Sequence, residues 1–327
     1  MFLQQICCRN LTNRTGEGSG ADPLSRSSYR NWPCAFKQPH QMHNICSSCK
    51  SSTHFNGQFK TNNFQFGTGT FIGAAVWEYE TIRARIKDQK IYSNFTWFRT
   101  RLNHKKWRTE VDSFWNRLTA GEKVFVPLCV LNVLVLALWR IPRLQPTMVK
   151  YFCSNPSARA VCWPMILSTF SHYSMFHLLA NMYVLHSFSN AAVGILGKEQ
   201  FLALYLSAGV FSTLASYFYK AASRNVGLSL GASGAIMAIL AFVCFEYPDT
   251  KLSILFLPMY TFPAGAAIKV IMGLDLAGCM LGWKFFDHAA HLGGAFFGMF
   301  WSIFGRELLW PEREKFLRYW HQFRTTK

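Results

Sequence analysis

The sequence predicts an all-α polytopic membrane protein, a six-helix core preceded by one additional N-terminal transmembrane helix. Three observations predict it. Half of the 327 residues are hydrophobic, with 30 Phe, and only 15% are charged, which is less charge than a soluble chain of this length carries. The apolar residues are clumped into runs near the ~20 residues that a helix needs to cross a ~30 Å hydrocarbon core. The basic residues behind the net charge of +18 lie in a tail and in the loops between those runs, where membrane topology and anionic headgroups favour them. That placement argues against nucleic acid as a partner.

Residues 1–62 form a presequence-like N-terminal region, expected to be disordered. Seven Lys/Arg stand there against Glu17 and Asp22 alone. Basic, Ser-containing and acid-poor is the composition of a mitochondrial transit peptide, and a plain disordered tail is the bland reading of the same residues. No apolar run follows a basic start, as a secretory signal requires. Cys46 and Cys49, near His43 and His54, are donors of the zinc-binding type, but no second pair follows at finger spacing. The ten cysteines form no disulfide framework.

Residues 63–77 read as the additional N-terminal span, Gly-rich and short for the bilayer. Residues 78–122 form a basic amphipathic loop, helical and close to the headgroups, with Trp97, Trp107 and Trp115 interspersed. Six stronger spans occupy 123–305, at about 123–139, 174–196, 200–219, 231–247, 260–283 and 287–304. The connection at 140–173 is half apolar yet broken by Pro142, Pro146, Pro156 and Pro164. It is expected to lie partly in the membrane against the bundle. Residues 306–327 form a basic, aromatic C-terminal tail.

Polar side chains inside spans mark functional sites by default. The second span carries His177 and Asn181, four residues apart and so on one helix face. The fourth opens with Gly231-Ala232-Ser233-Gly234-Ala235. The sixth carries His291, with Gly294 and Gly298 on the same face. These three spans cross in the same direction, so the hydroxyl, imidazoles and carboxamide fall at one depth. Peptide hydrolysis needs an activated nucleophile, a base and oxyanion donors. Ser233 supplies the first, His291 the second, and the Ser233 amide with His177 and Asn181 the third. Gly231, Gly234, Gly294 and Gly298 remove bulk where helices must touch to bring Ser233 and His291 together. Each feature has a plainer reading: small-residue spacing serves packing, and an intramembrane Ser bonds its own backbone. Their common depth favours the joint reading. Asp275 shows no partner in the sequence; facing a water pocket or tuning a proton is its functional reading and packing against a polar loop the bland one. His172 is a candidate for the site entrance, His288 for an interface neighbour, and Asp287 has no assigned role.

His177-x-x-x-Asn181, Gly231-x-Ser233-Gly234 and Ala290-His291-x-x-Gly294-x-x-x-Gly298 together resemble the motif set of the rhomboid intramembrane serine proteases, over roughly residues 70–320. The resemblance implies a Ser233–His291 dyad with oxyanion donors matching His177, Asn181 and the Ser233 amide. It implies a serine endopeptidase that cuts single-pass proteins in or near their transmembrane segment, within the lipid bilayer, with no metal and no cofactor. The chain is similar to the mitochondrial branch, which implies a multi-pass protein of the mitochondrial inner membrane acting in proteolysis and quality control. A catalytically inactive rhomboid-like scaffold that binds membrane helices is the alternative. Inactive relatives usually lose the Ser or the His, and both are present. Two departures stand out. Met237 occupies the position where many bacterial relatives carry a Tyr against the catalytic His. Residues 141–173 lack the Trp-Arg pair that many relatives carry in the long first loop.

Overall fold

The computed structural model describes residues 52–94, 106–158, 162–224, 227–254 and 257–325. Cys46, Cys49 and the presequence-like region up to residue 51 lie outside them. The described chain is mostly helical. In order it forms α1 (Ser52–Asn94), α2 (Lys106–Arg117), α3 (Glu122–Leu138), α4 (Gln145–Phe152), α5 (Cys162–Leu167), α6 (Met175–Ala222) and α7 (Ser233–Glu246). A hairpin of β1 (Lys251–Ile254) and β2 (Leu257–Pro263) follows, then α8 (Ala264–Leu281), α9 (His288–Phe300), a π-helical stretch (Trp301–Leu309) and α10 (Arg313–Thr325).

Among the described residues two helices, α6 and α8, are long and apolar enough to cross a membrane, and a third span is counted if Glu110–Arg117 of α2 and α3, bent by 115°, are taken as one. At 1.5 Å per residue a straight α6 would extend ~72 Å, more than twice a ~30 Å hydrocarbon core. It is not straight, because Gly197 leaves helical geometry (φ 74, ψ 164). Only glycine adopts that region without a steric penalty. The break falls between the second and third spans expected from hydropathy.

The central helix is α7. It has only 14 residues and is buried at every position from Gly234 to Cys244. No lipid-facing stripe is needed, and none is present. The outer helix α8 is the opposite: Val270, Leu274, Met280 and Leu281 are exposed apolar side chains, while Ala264, Ala267, Ile268, Asp275 and Gly278 face inward. An apolar outer face fits contact with lipid tails.

The crossing of α7 and α9 rests on absent side chains. A Cβ on Gly294 would stand 1.9 Å from the Gly234 carbonyl oxygen, and one on Gly298 would stand 2.1 Å from that of Ala238. The two backbones are in contact, so nothing larger than hydrogen fits at either position.

The hairpin departs from the all-α expectation. Lys251 pairs with Pro263 and Leu252 with Phe262 in an antiparallel register. Residues 260–263, expected at the start of the fifth span, are strand instead. Pro258 and Pro263 would each cost a helix a hydrogen bond and a clash with the preceding turn, and Tyr260, Thr261 and Phe262 favour extended backbone. Helix begins only after Pro263.

The long first loop folds into α4, α5 and two single 3-10 turns at Pro142–Leu144 and Ser168–Phe170. Its anchor stands immediately before the stretch in which the Trp-Arg pair was sought. The Trp139 indole N–H donates to the Ser171 hydroxyl at 2.7 Å, and Arg140 donates to the Tyr173 carbonyl at 3.1 Å. Ser154 and Ser229 exchange backbone hydrogen bonds of 2.7 and 3.1 Å, tying the loop to the segment that enters α7.

Within α1, Phe71 stacks on Trp301 at 3.9 Å and Thr70 shares a 2.6 Å hydrogen bond with Ser207. Helix continues past the apolar run to Asn94, where Glu78 and Glu80 meet α10.

Candidate active site

Ser233 is the first residue of α7 and His291 lies one turn into α9. Their side chains meet: His291 Nε2 is 2.9 Å from Ser233 Oγ. Asp287 caps α9, accepting from the Ala290 amide at 3.1 Å, and this fixes the turn on which His291 sits. The preceding segment is held by Gly231, whose amide donates to the Ser168 carbonyl at 2.9 Å. Gly231 has φ +138, and a Cβ there would stand 2.8 Å from His177 Cε1 and 3.8 Å from Ser233 Oγ. Glycine therefore serves two needs, a conformation closed to other residues and room for the His177 ring beside the hydroxyl. Asn181 donates to the His177 carbonyl at 2.9 Å, which leaves its second amide hydrogen. Packing of α7 on its neighbours also relies on Gly234, where a Cβ would fall 2.3 Å from Ser212 Oγ.

Of the four sequence candidates, His177, Ser233 and His291 gather in one place, with Asn181 one turn further along α6, and Gly231, Gly234, Gly294 and Gly298 lie at the contacts that assemble it. His172 is not at an entrance. It is fully buried, its ring 5.0 Å from that of His177, and the Ala232 amide donates to its Nε2 at 3.5 Å.

Three groups near the site have contacts that the sequence left open. Asp275 does have partners. Its Oδ1 lies 3.1 Å from His291 Nδ1 and 2.7 Å from His288 Nδ1. The Asp275 carboxyl and the His288 ring are buried, and the His291 ring is part-buried beside them. His288 is therefore more than an interface neighbour; its ring fits only because residue 278 is Gly, where a Cβ would stand 2.5 Å from His288 Cδ2. Phe286 is the third, its ring 6.0 Å from that of His291. It supplies an aromatic ring beside His291, while Met237 belongs to the buried cluster that includes Leu240, Ala241, Ile268 and Ala295. The sequence did hold one clue to Asp275: it shares the small-residue face Ala264-Ala267-Gly278 of α8, which is the face that turns inward.

Asp287, close in sequence to His291, serves another network. It accepts from Ser216 and Ser229 and pairs with Lys220 at 3.1 Å. The Lys220 side chain is 7% exposed, and a buried ammonium needs such a partner.

A hydroxyl within reach of an imidazole Nε2, with a carboxylate on the other ring nitrogen, is the geometry of an activated nucleophile. With a proton on Nδ1, donated to the Asp275 carboxyl, the Nε2 lone pair would face the hydroxyl. Donors for a metal, sought in the sequence at Cys46 and Cys49, occur among the described residues at Asp275, His288 and His291.

The family described as the rhomboid domain matches residues 159–307. The presenilin-associated rhomboid-like protein, mitochondrial, of Homo sapiens is 51% identical over 261 residues, covering 79% of this chain and 69% of that protein. The related protein A of Danio rerio is 45% identical over 275 residues, covering 78% and 72%. Rhomboid protein 1, mitochondrial, of Saccharomyces cerevisiae is 32% identical over 204 residues, covering 61% and 58%.

Proposed function

This chain belongs to the rhomboid family, as a mitochondrial membrane protein, and from that premise we propose that it is an intramembrane serine endopeptidase. Its substrates are single-pass membrane proteins, cut in or near the transmembrane segment, in proteolysis and quality control at the mitochondrial inner membrane. Residues 123–305 form the six-span protease body and residues 63–77 an additional N-terminal span. The observation that carries the reading is the 2.9 Å contact of His291 Nε2 with Ser233 Oγ, made between side chains 58 residues apart in a water-poor layer.

The steps follow from the geometry. Ser233 Oγ attacks the scissile carbonyl carbon as its proton passes to His291 Nε2. The imidazolium that forms is stabilised by Asp275 at Nδ1. Negative charge gathers on the former carbonyl oxygen, toward the Ser233 amide at the start of α7, with side-chain donors from His177 and Asn181. Each such donor contributes about 3 kcal/mol to the transition state, and the helix N-terminus adds its dipole. His291 returns the proton to the leaving amine, and the C–N bond breaks to leave an acyl-Ser233 ester. Water attacks that ester with His291 again as base, releasing the new carboxylate and restoring the hydroxyl. A substrate helix must unwind to present its bond, and Gly or Pro in the span lowers that cost.

The test is cleavage of a reporter transmembrane helix by the full chain in liposomes, beside Ser233→Ala. Cleavage that disappears with the hydroxyl is expected. Equal cleavage by both proteins would remove Ser233 as nucleophile, and cleavage by neither would favour the inactive helix-binding scaffold.

A further inference from the structure

The mechanism uses Asp275 and one imidazole; a second imidazole is left over. His288 contributes nothing to the proposed proton path, yet it is buried (8% exposed) and aims Nδ1 at the same carboxylate oxygen as His291. Asp275 Oδ1, His288 Nδ1 and His291 Nδ1 all lie within 4.8 Å of one another. Asp275 Oδ2 is also buried without a hydrogen-bond partner, which a low-dielectric interior penalises. Two imidazoles and one carboxylate make a donor set suited to zinc, which binds nitrogen and oxygen at ~2.0–2.2 Å and takes a water as fourth ligand. Donors at those lengths stand ~3.3 Å apart in a tetrahedral site. The two carboxylate contacts, at 2.7 and 3.1 Å, are within that spacing, and the two imidazole nitrogens, within 4.8 Å of each other, would have to draw together to seat an ion.

The geometry points to an inhibitory zinc site formed by Asp275, His288 and His291. It rests on the protease reading for its consequence but not for the binding itself. The chemistry of inhibition is a change of tautomer. In the active arrangement His291 carries its proton on Nδ1, donates it to Asp275, and offers the Nε2 lone pair to Ser233. Zinc on Nδ1 needs that lone pair, so the ring proton must reside on Nε2. His291 then donates to Ser233 Oγ where it should accept. His288 shifts its proton in the same way, so both rings stay neutral and no net proton is released. The ion also takes the carboxylate that would have stabilised the imidazolium. Occupied by zinc, the enzyme holds substrate beside a serine that has lost its base.

The test uses the full chain in detergent, stripped with EDTA, carrying Cys46→Ser and Cys49→Ser so that those thiols do not bind zinc. Zinc is titrated against a chromophoric chelator. About one equivalent is expected to bind to this protein and to its Ser233→Ala derivative, with affinity falling at least ~10-fold in His288→Gln and Asp275→Asn, since each loses a ligand. Circular dichroism and thermal melting establish that the variants are folded. Equal affinity in folded His288→Gln would overturn the site. A second measurement needs no ligand variant: labelling of Ser233 by a fluorophosphonate is expected to fall with zinc and return with EDTA. Labelling unaffected by zinc would overturn the inhibition, whereas no labelling even without zinc would count against the protease reading and leave the binding result standing.

Discussion

Two contacts between distant parts of the chain are built on opposite principles. Where α7 crosses α9, the interface is made of missing atoms: Gly234 against Gly294, Ala238 against Gly298, backbone on backbone. Where α1 meets α10, it is made of long polar side chains. Glu80 accepts from Trp320 at 3.0 Å and from Arg324 at 3.0 and 3.2 Å, Glu78 pairs with Arg313 at 3.3 Å, and Tyr79 hydrogen-bonds His321. The first contact tolerates no displacement and carries the reacting pair. The second is partly open to solvent, where ion pairs contribute less and side chains have more room to rearrange. Precision is concentrated where a proton must move over 2.9 Å, and looseness is permitted where two helices only need to stay near each other.

Gly294→Val should break the first region outright. Its Cβ alone would meet the Gly234 carbonyl oxygen at 1.9 Å, and overpacking of fixed backbone costs about 1–3 kcal/mol or more. Loss of proteolysis together with a lowered melting temperature is expected. Wild-type activity in that variant would mean that the crossing is not what positions His291. Asp275→Asn leaves the crossing intact and alters one atom at the site. It should lower kcat by ~10²–10⁴-fold, because the amide no longer fixes the His291 tautomer or balances the imidazolium. Unchanged thermal stability with lowered kcat would separate this role from a packing role, and an unchanged kcat would reduce the machinery to Ser233 and His291.

The smallest effect belongs to the second region. The hydrogen bonds of Arg324 and then Trp320 hold the Glu80 carboxyl below its ordinary value of 4.5. A carboxyl lowered in the folded state contributes stability that is complete above its ordinary value and is lost as the pH falls through the folded one. The attachment of α10 should therefore persist at neutral pH and weaken below pH 4.5, measured by protease susceptibility of the C-terminal tail. Glu80→Gln should remove that pH dependence while changing proteolysis at neutral pH by no more than about twofold. A large loss of activity would show that the α1–α10 contact is coupled to the site.

The same contrast explains what could be read from the sequence. His177, Asn181, Ser233 and His291 stood out because polar groups in apolar spans are rare, and because counting crossings places them at one depth. The glycines of α7 and α9 declared the close approach through their spacing. Asp275 did not declare its partners, since those depend on the rotation of α8 about its own axis, and hydropathy does not report rotation when most of a helix surface is apolar. The second strand of the hairpin was hidden for a related reason: its last residues, Tyr260 to Pro263, read as the start of a membrane span until Pro263 is weighed against helix. Trp139 and Arg140 were visible, but as the end of a span; their hydrogen bonds to Ser171 and Tyr173 exist only once the loop has folded back.

The most direct measurement of the central claim is covalent capture of the nucleophile. The full chain in liposomes is treated with a fluorophosphonate, digested and mapped by mass spectrometry, beside His291→Ala. A single adduct on Ser233, strongly reduced when His291 is absent, is the expected result. An adduct on another serine, or labelling of Ser233 that is indifferent to His291, would contradict a Ser233 nucleophile activated by His291.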